Sequence, residues 1–250
     1  MKRLETLNLF DKKYIIFDMD GTLIDSVGIW NYADQKIIEQ FGNIQVDLDI
    51  IQKQREDFLE KNIKGDIYVE YSKYIINKYN LNVSLEELIN TRKSIAHEIL
   101  KNELDFKPGV VELIKQLKEM GFLLILATIT TTNQIDIYAH HNKKMSSQMN
   151  LYDVFDLVLT KDDVKNKKPN PEIYINILNH YNADASECLI FEDSLHGVLA
   201  AKGAGIETVN IYDYYSEKDR EQINNLTDYK IDSYRQFLDD VVYKERKSKK

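Results

Sequence analysis

Five short, almost continuously apolar runs constrain this chain more than any other feature: Tyr14–Asp18, Phe122–Thr128, Phe155–Thr160, Cys188–Glu192 and Glu207–Ile211. Segments such as YIIFD, FLLILAT and CLIFED show no alternation of apolar and polar residues. A strand with one face in water alternates; one without alternation must be covered on both faces, as in a parallel sheet flanked by helices. Helical patterns occupy the intervals. From Gly109 to Met120, Val110, Leu113, Ile114 and Leu117 share one face, with Pro108 at the start and Gly121 just past the end. A second helix is predicted over Pro171–Tyr181 and a third over Leu195–Lys202, between Ser194 and Gly203. Strand and helix alternate, so the fold class is α/β: a Rossmann-like parallel sheet core with helices on both faces.

One interval breaks the rhythm. Between Val27 and Asp105 no strand-like run occurs, and helical patterns fall at 27–41, 48–62, 66–79 and 84–101. Trp30, Ala33, Ile37 and Phe41 form one apolar stripe, and Ser84 followed by Glu87 has the spacing of a capping box. So long a segment is not a loop in a compact fold. Residues 27–105 therefore read as an inserted all-helical cap domain, and residues 1–26 with 106–250 as the α/β core. The polar stretch Ile135–Asn150 reads as a helix followed by an irregular excursion.

Composition excludes several classes of function. The formal charge is -8, from 33 basic and 41 acidic residues, the wrong sign for a general binder of nucleic acid. The basic end Lys244–Lys250 reads as a solvated, frayed tail. Cys188 is the sole cysteine, which removes disulfides and cysteine zinc clusters and favours a reducing compartment. The purest apolar run, Phe122–Ala127, is far shorter than the ~20 residues of a spanning helix, so no membrane partner is expected and the location is expected to be cytoplasmic.

The chemistry concentrates where the first strand ends, in Asp18-Met19-Asp20-Gly21-Thr22-Leu23-Ile24-Asp25-Ser26. Carboxylates crowded at a sheet edge repel one another and lose hydration, unless a cation sits among them. Mg²⁺ suits such a place, because it takes hard oxygen ligands and leaves positions for water and a substrate phosphate. The carboxyl edge of an α/β sheet is also where ligands usually bind.

Residues 18–26 resemble the first motif, DxDGTLxDS, of the haloacid dehalogenase superfamily. Three further pieces follow in that family's order: Thr128 at the end of FLLILAT, Lys168 in Lys167-Lys168-Pro169-Asn170-Pro171, and Glu192-Asp193 after CLIF. The insertion at 27–105 resembles the type C1 helical cap, in the phosphatase and beta-phosphoglucomutase-like subgroup. The resemblance implies a Mg²⁺-dependent phosphatase for a small phosphorylated metabolite. In it Asp18 attacks phosphorus to form an aspartyl phosphate, and Asp20 protonates the leaving oxygen and then activates water. Thr128, the amide of Ile129, and Lys168 hold the phosphoryl group. Asp18, the backbone carbonyl of Asp20, Asp193 and the nearby Glu192 serve the metal. Thr22 and Asp25 hold the loop.

Two alternatives stay open. Sugar-phosphate mutases resemble the chain at Asp18 and Asp20, yet usually carry a histidine where Trp30 stands here. A receiver-type phospho-accepting signalling module also uses an aspartate and Mg²⁺, but is about half as long and lacks a helical insertion. Substrate choice is expected to come from the cap, where Lys53, Arg55, Lys61 and Lys64 are candidates to meet a second anionic group. The adjacent His140 and His141 read as surface residues, since no third ligand lies at suitable spacing. Oligomeric state is left open.

Overall fold

The structure is a computed structural model that describes residues 2–61 and 67–248. The chain divides into two compact units, one of residues 1–25 with 104–250 and the other Ser26–Glu103.

The first unit is built on a six-stranded sheet in the order β3-β2-β1-β4-β5-β6. The strands are β1 (Tyr14–Phe17), β2 (Leu123–Ala127), β3 (Leu157–Leu159), β4 (Cys188–Glu192), β5 (Glu207–Ile211) and β6 (Tyr229–Ile231). Every neighbouring pair is parallel. The continuous apolar runs are explained by burial on both faces, since successive side chains of a strand point to opposite sides. On one face Ile16, Ile125 and Ile190 form a core with Tyr174 and Ile177 of helix Glu172–Tyr181 and with Ala200 and Ala201 of helix Leu195–Gly203. On the other, Phe17 stacks on Phe191 with ring centroids 4.8 Å apart, and Phe237 meets Phe191 edge-on at 4.9 Å. The fold is thus the α/β, Rossmann-like architecture expected.

Register explains why the acids meet. Phe17 of β1 lies level with Leu126 of β2 and Phe191 of β4. The next residue of each strand, Asp18, Ala127 and Glu192, therefore emerges at the same carboxyl edge. The helix of the predicted span Gly109–Met120 is present as Val110–Glu119, capped by Gly109 and followed by Gly121 at φ 88°.

Two expectations about this unit need correction. β6 was not anticipated: three residues, Tyr-Lys-Ile, with a half-buried lysine at the centre, make no apolar run. The basic end is not frayed throughout, because Tyr243–Ser248 is helical and Arg246 pairs with Glu119 at 3.0 Å.

The second unit consists of α1 (Ile29–Gly42), α2 (Leu48–Lys61), α3 (Ile67–Tyr79) and α4 (Leu85–Asn102). Ser84 caps α4, its hydroxyl accepting the amide of Glu87 at 3.2 Å. The core gathers Ile37, Ile38, Ile51, Tyr71, Ile75 and Leu88. Among these apolar groups Asp34 is fully buried and accepts from Arg92 Nε at 2.5 Å and from Arg55. Arg92 in turn lies 5.0 Å from the Trp30 ring and 4.6 Å from that of Tyr68. Arg55 is accordingly engaged inside the unit and does not stand as a solvent-facing cation. Lys53 is exposed; Lys64 and the side chain of Lys61 lie outside the described residues.

Removing Asp34 would strand the buried Arg92 guanidinium without its counter-charge, a change that costs ~3 to 5 kcal/mol. Asp34→Ala should lower unfolding free energy by about that amount in a urea titration. A variant as stable as the parent would contradict the pairing.

Candidate active site

At the carboxyl edge of β1 and β4 three carboxylates, Asp18, Glu192 and Asp193, approach so closely that one oxygen-ligand atom from each lies within 4.8 Å of the others. All three are buried, Glu192 completely. Lys168 enters this cluster and is itself buried. Its Nζ donates to Asp18 Oδ1 at 2.7 Å, to Glu192 Oε1 at 2.7 Å and to the carbonyl of Ala127 at 3.0 Å. A single ammonium thus joins the ends of β1, β2 and β4.

Each carboxylate has its own support. Glu192 Oε1 also accepts from the Tyr174 hydroxyl at 3.2 Å, and Oε2 from the amides of Asp193 and Ser194, both at 3.1 Å. Both Glu192 oxygens are therefore occupied by the protein. Asp193 accepts from Thr22 at 2.7 Å through Oδ1 and from Ser216 at 3.3 Å through Oδ2. Asn210 donates to the backbone carbonyl of Asp193 at 3.3 Å. The neighbouring residues divide the labour, since Ser194 caps helix Leu195–Gly203 by accepting the Gly197 amide at 3.1 Å while Asp193 joins the acids.

Electrostatics leave the cluster short of positive charge. Burial pushes the Asp18 carboxyl up to about 8, with Lys168 opposing the rise and Glu192 adding to it. Burial, and then Glu192 and Asp18, push Asp193 well above the ordinary carboxylate range. Burial works to lower Lys168, yet Asp18 and Glu192 outweigh it and hold the ammonium well above its usual value. Three hard-oxygen donors facing one lysine suit a divalent cation such as Mg²⁺, which would relieve this repulsion. The approach of Gly21 fits the same cradle. A Cβ there would lie 2.4 Å from Asp193 Oδ2, and its φ of +83° favours glycine in any case.

Asp20 sits to one side of the acid cluster. Its Oδ2 accepts from the Thr130 hydroxyl, and its Oδ1 lies 3.5 Å from the hydroxyl of Tyr138. Burial first, and then the charge of Asp20, keep that phenol protonated, well above its ordinary range. Thr128 is buried at the exit of β2, its hydroxyl accepting the Thr130 amide at 3.0 Å; the side chain of Ile129 is exposed. The loop from Asp20 to Asp25 is pinned by Gly21 N to Ile24 O at 2.9 Å and by the pairing of Lys107 with Asp25 at 3.1 Å and Asp213 at 2.8 Å. His140 and His141 are exposed, the former stacked on Tyr152 with centroids 5.6 Å apart.

Of the residues expected from sequence, Asp18, Lys168, Glu192 and Asp193 are in mutual contact or immediate proximity, and Thr128 and Asp20 border them. Thr130, Tyr138, Tyr174, Lys107, Ser216 and Gly197 were not anticipated. Thr130 is the one with a local signal: it follows Thr128 by two residues in an uninterrupted run of hydroxyl and apolar residues.

The profile of the haloacid dehalogenase-like hydrolase family matches residues 15–211, and the chain belongs to that family. It is an enzyme of the phosphoric monoester hydrolase class. A phosphorylated carbohydrates phosphatase of Thermotoga maritima is 31% identical over 199 residues, covering 78% of this chain and 82% of that protein. Hexitol phosphatase B of Escherichia coli K12 is 26% identical, covering 78% and 81%. A Thermotoga maritima crystal structure described as a beta-phosphoglucomutase superposes with a TM-score of 0.73 at 26% identity, over 93% of this chain and 99% of that one.

The packing around Glu192 gives a direct check. A Cβ on Gly197 would fall 1.7 Å from Glu192 Oε1, and the carboxylate it displaces is the one that holds Lys168. Gly197→Ala should therefore destabilise the fold by ~1 to 3 kcal/mol and lower phosphatase activity, read by thermal unfolding and by phosphate release. Parent-like values of both would contradict the placement of Glu192.

Proposed function

We propose that the chain is a Mg²⁺-dependent phosphatase for a small phosphorylated metabolite, working through an aspartyl phosphate on Asp18. The observation that carries this reading is the Lys168 ammonium bridging Asp18 and Glu192 beside Asp193 at the sheet edge. Sugar or sugar-alcohol phosphates are the favoured substrate class, supported by relatives named for phosphorylated carbohydrates and for hexitol phosphate.

Uncatalysed phosphate monoester hydrolysis is among the slowest of reactions, so nucleophile, charge neutralisation and leaving-group protonation are all needed. Asp18 supplies the nucleophile: a carboxylate oxygen bonds to phosphorus as the bond from phosphorus to the ester oxygen breaks. Asp20 gives its proton to that departing oxygen, releasing an alcohol. Asp20, now ionised, takes a proton from a water that attacks the aspartyl phosphate, which frees inorganic phosphate and restores Asp18. Lys168 and the Thr128 hydroxyl balance and orient the phosphoryl oxygens, with the amide of Ile129. Asp18, Asp193 and the backbone carbonyl of Asp20 would hold Mg²⁺, which when bound reduces the repulsion between an anionic substrate and an anionic nucleophile. Glu192, with both oxygens engaged by the protein, holds Lys168 in place and would add its negative charge to the group of acids that holds the metal.

We assign residues 27–105 to the cap domain on which leaving-group selection depends. Buried Cys188, unpaired by any disulfide, supports a cytoplasmic setting, and no helix among the described residues is long and apolar enough to cross a membrane. A mutase reading draws on the beta-phosphoglucomutase neighbour. Against it, Trp30 occupies the position where such mutases usually carry histidine, and it is packed against Arg92 and Tyr68.

Purified protein should release phosphate from 4-nitrophenyl phosphate and from hexitol and hexose phosphates in Mg²⁺. Chelation should stop release and Mg²⁺ should restore it, while Asp18→Asn should abolish it. Release that persists in Asp18→Asn would reject the nucleophile. Isomerised sugar phosphate without free phosphate would favour the mutase, and a stable phosphoprotein without turnover the signalling module.

A further inference from the structure

The acid pair at the end of β4 is gripped from β5 and from the turn that follows it. Glu192 and Asn210 are level in the parallel pairing of these strands, and the Asn210 side-chain amide donates to the backbone carbonyls of Glu192 at 3.0 Å and of Asp193 at 3.3 Å. Beyond β5 the chain turns into the short 3₁₀ segment Tyr214–Asp219. Asp213 caps it: its Oδ1 accepts the Tyr215 amide at 2.9 Å and its carbonyl accepts the Ser216 amide at 3.2 Å. This turn brings the Ser216 hydroxyl to Asp193 Oδ2 at 3.3 Å, while Thr22, on the turn after β1, donates to Oδ1 at 2.7 Å. The Asp193 carboxylate is thus held at each oxygen by a hydroxyl from a different segment. The turn has an anchor of its own. Buried Asp213 accepts Lys107 Nζ at 2.8 Å, the same ammonium pairs with Asp25 at 3.1 Å, and the Lys107 amide donates to the Leu23 carbonyl at 2.8 Å.

A carboxylate offers about four lone-pair sites, so a hydroxyl on each oxygen still leaves room for a cation. What the two hydroxyls remove is rotation of the carboxylate plane, which would break one bond or both. Partners that fix the orientation of a metal ligand are typically worth about 10 to 100-fold in metal affinity. We infer that Ser216 is a positioning residue that sets the Asp193 carboxylate for Mg²⁺, and that Lys107, through Asp213, holds the turn that presents it. The inference rests on the Mg²⁺-dependent reading above and deepens it, assigning part of the site's affinity for the ion to a segment outside both the acidic loop and the acid pair. The charge of Lys107 cannot supply that affinity directly, because a positive charge near a cation site opposes binding. Its contribution comes through position.

Calorimetric titration of the metal-free protein with MgCl₂, without substrate, measures the binding constant apart from turnover. Ser216→Ala should raise the Kd for Mg²⁺ by about 10-fold, with a metal-free thermal midpoint equal to the parent's. Position 216 is half-buried and admits a methyl group, so Ser216→Thr, which keeps the hydroxyl, should return Kd to within about 3-fold of the parent. On 4-nitrophenyl phosphate, Ser216→Ala should shift the Mg²⁺ concentration for half-maximal rate in step with Kd, while kcat in saturating Mg²⁺ stays within about 3-fold of the parent. A merely structural loss would depress kcat at every Mg²⁺ concentration. Lys107→Met should weaken Mg²⁺ by about 3 to 10-fold and add little in the Ser216→Ala background, since both act through one contact. An unchanged Kd in Ser216→Ala, a Kd not recovered in Ser216→Thr, or a kcat depressed at saturating Mg²⁺ overturns the inference while leaving the Mg²⁺ reading intact. Tighter Mg²⁺ binding in Lys107→Met, the sign of lost charge alone, overturns the part given to Lys107. A parent protein that binds no Mg²⁺ overturns both readings.

Discussion

The buried Lys168 ammonium is the contact on which the rest of the site depends. It draws Asp18 and Glu192 to 2.7 Å each and touches the Ala127 carbonyl, so one cation ties together the carboxyl ends of three adjacent strands. Such an arrangement is costly to desolvate, and breaking it from one side is costlier still. The protein surrounds it accordingly: Tyr174 and the Asp193 and Ser194 amides satisfy Glu192, while Thr22 and Ser216 satisfy Asp193. Excess negative charge remains, and that excess suits the cluster to a hard divalent cation.

The parallel sheet makes this geometry possible at little further expense. Equal register of β1, β2 and β4 sends consecutive residues out at one edge, so Asp18, the Ala127 carbonyl and the pair Glu192-Asp193 come together without long side chains. Asp20 and Thr22 lie on the turn closed by Gly21, whose positive φ and close contact with Asp193 leave no space for a side chain. Gly197 plays the corresponding part on the helix after β4, where it makes room for Glu192.

Much of this was legible in the sequence, and the physical reason differs by residue. The strands β1, β2 and β4 were plain because burial on both faces removes polar alternation. β6 was hidden because an edge strand of three residues, with Lys230 half-buried at its centre, leaves no such trace. Asp18, Asp20 and Asp193 stood out because acids at a strand end are conspicuous, whereas Lys168 sits in a run of lysines and gained meaning only from the order of the motifs. Tyr174 and Ser216 could not be picked out by spacing: they meet their partners only through tertiary folding, Tyr174 across 18 positions and Ser216 across 23. Arg55 shows the opposite case, a basic residue that looks free in sequence and is spent on Asp34 in the fold.

The central claim is that Asp18 carries the phosphoryl group during turnover, and trapping that group tests it most directly. Protein mixed with Mg²⁺ and substrate, quenched within a single turnover and reduced with borohydride, converts an acyl phosphate to an alcohol that peptide mass spectrometry locates. The reduced site is expected at position 18 and nowhere else. A modification at Asp20, Asp193 or a histidine, or turnover with no trapped carboxyl at all, would contradict the account.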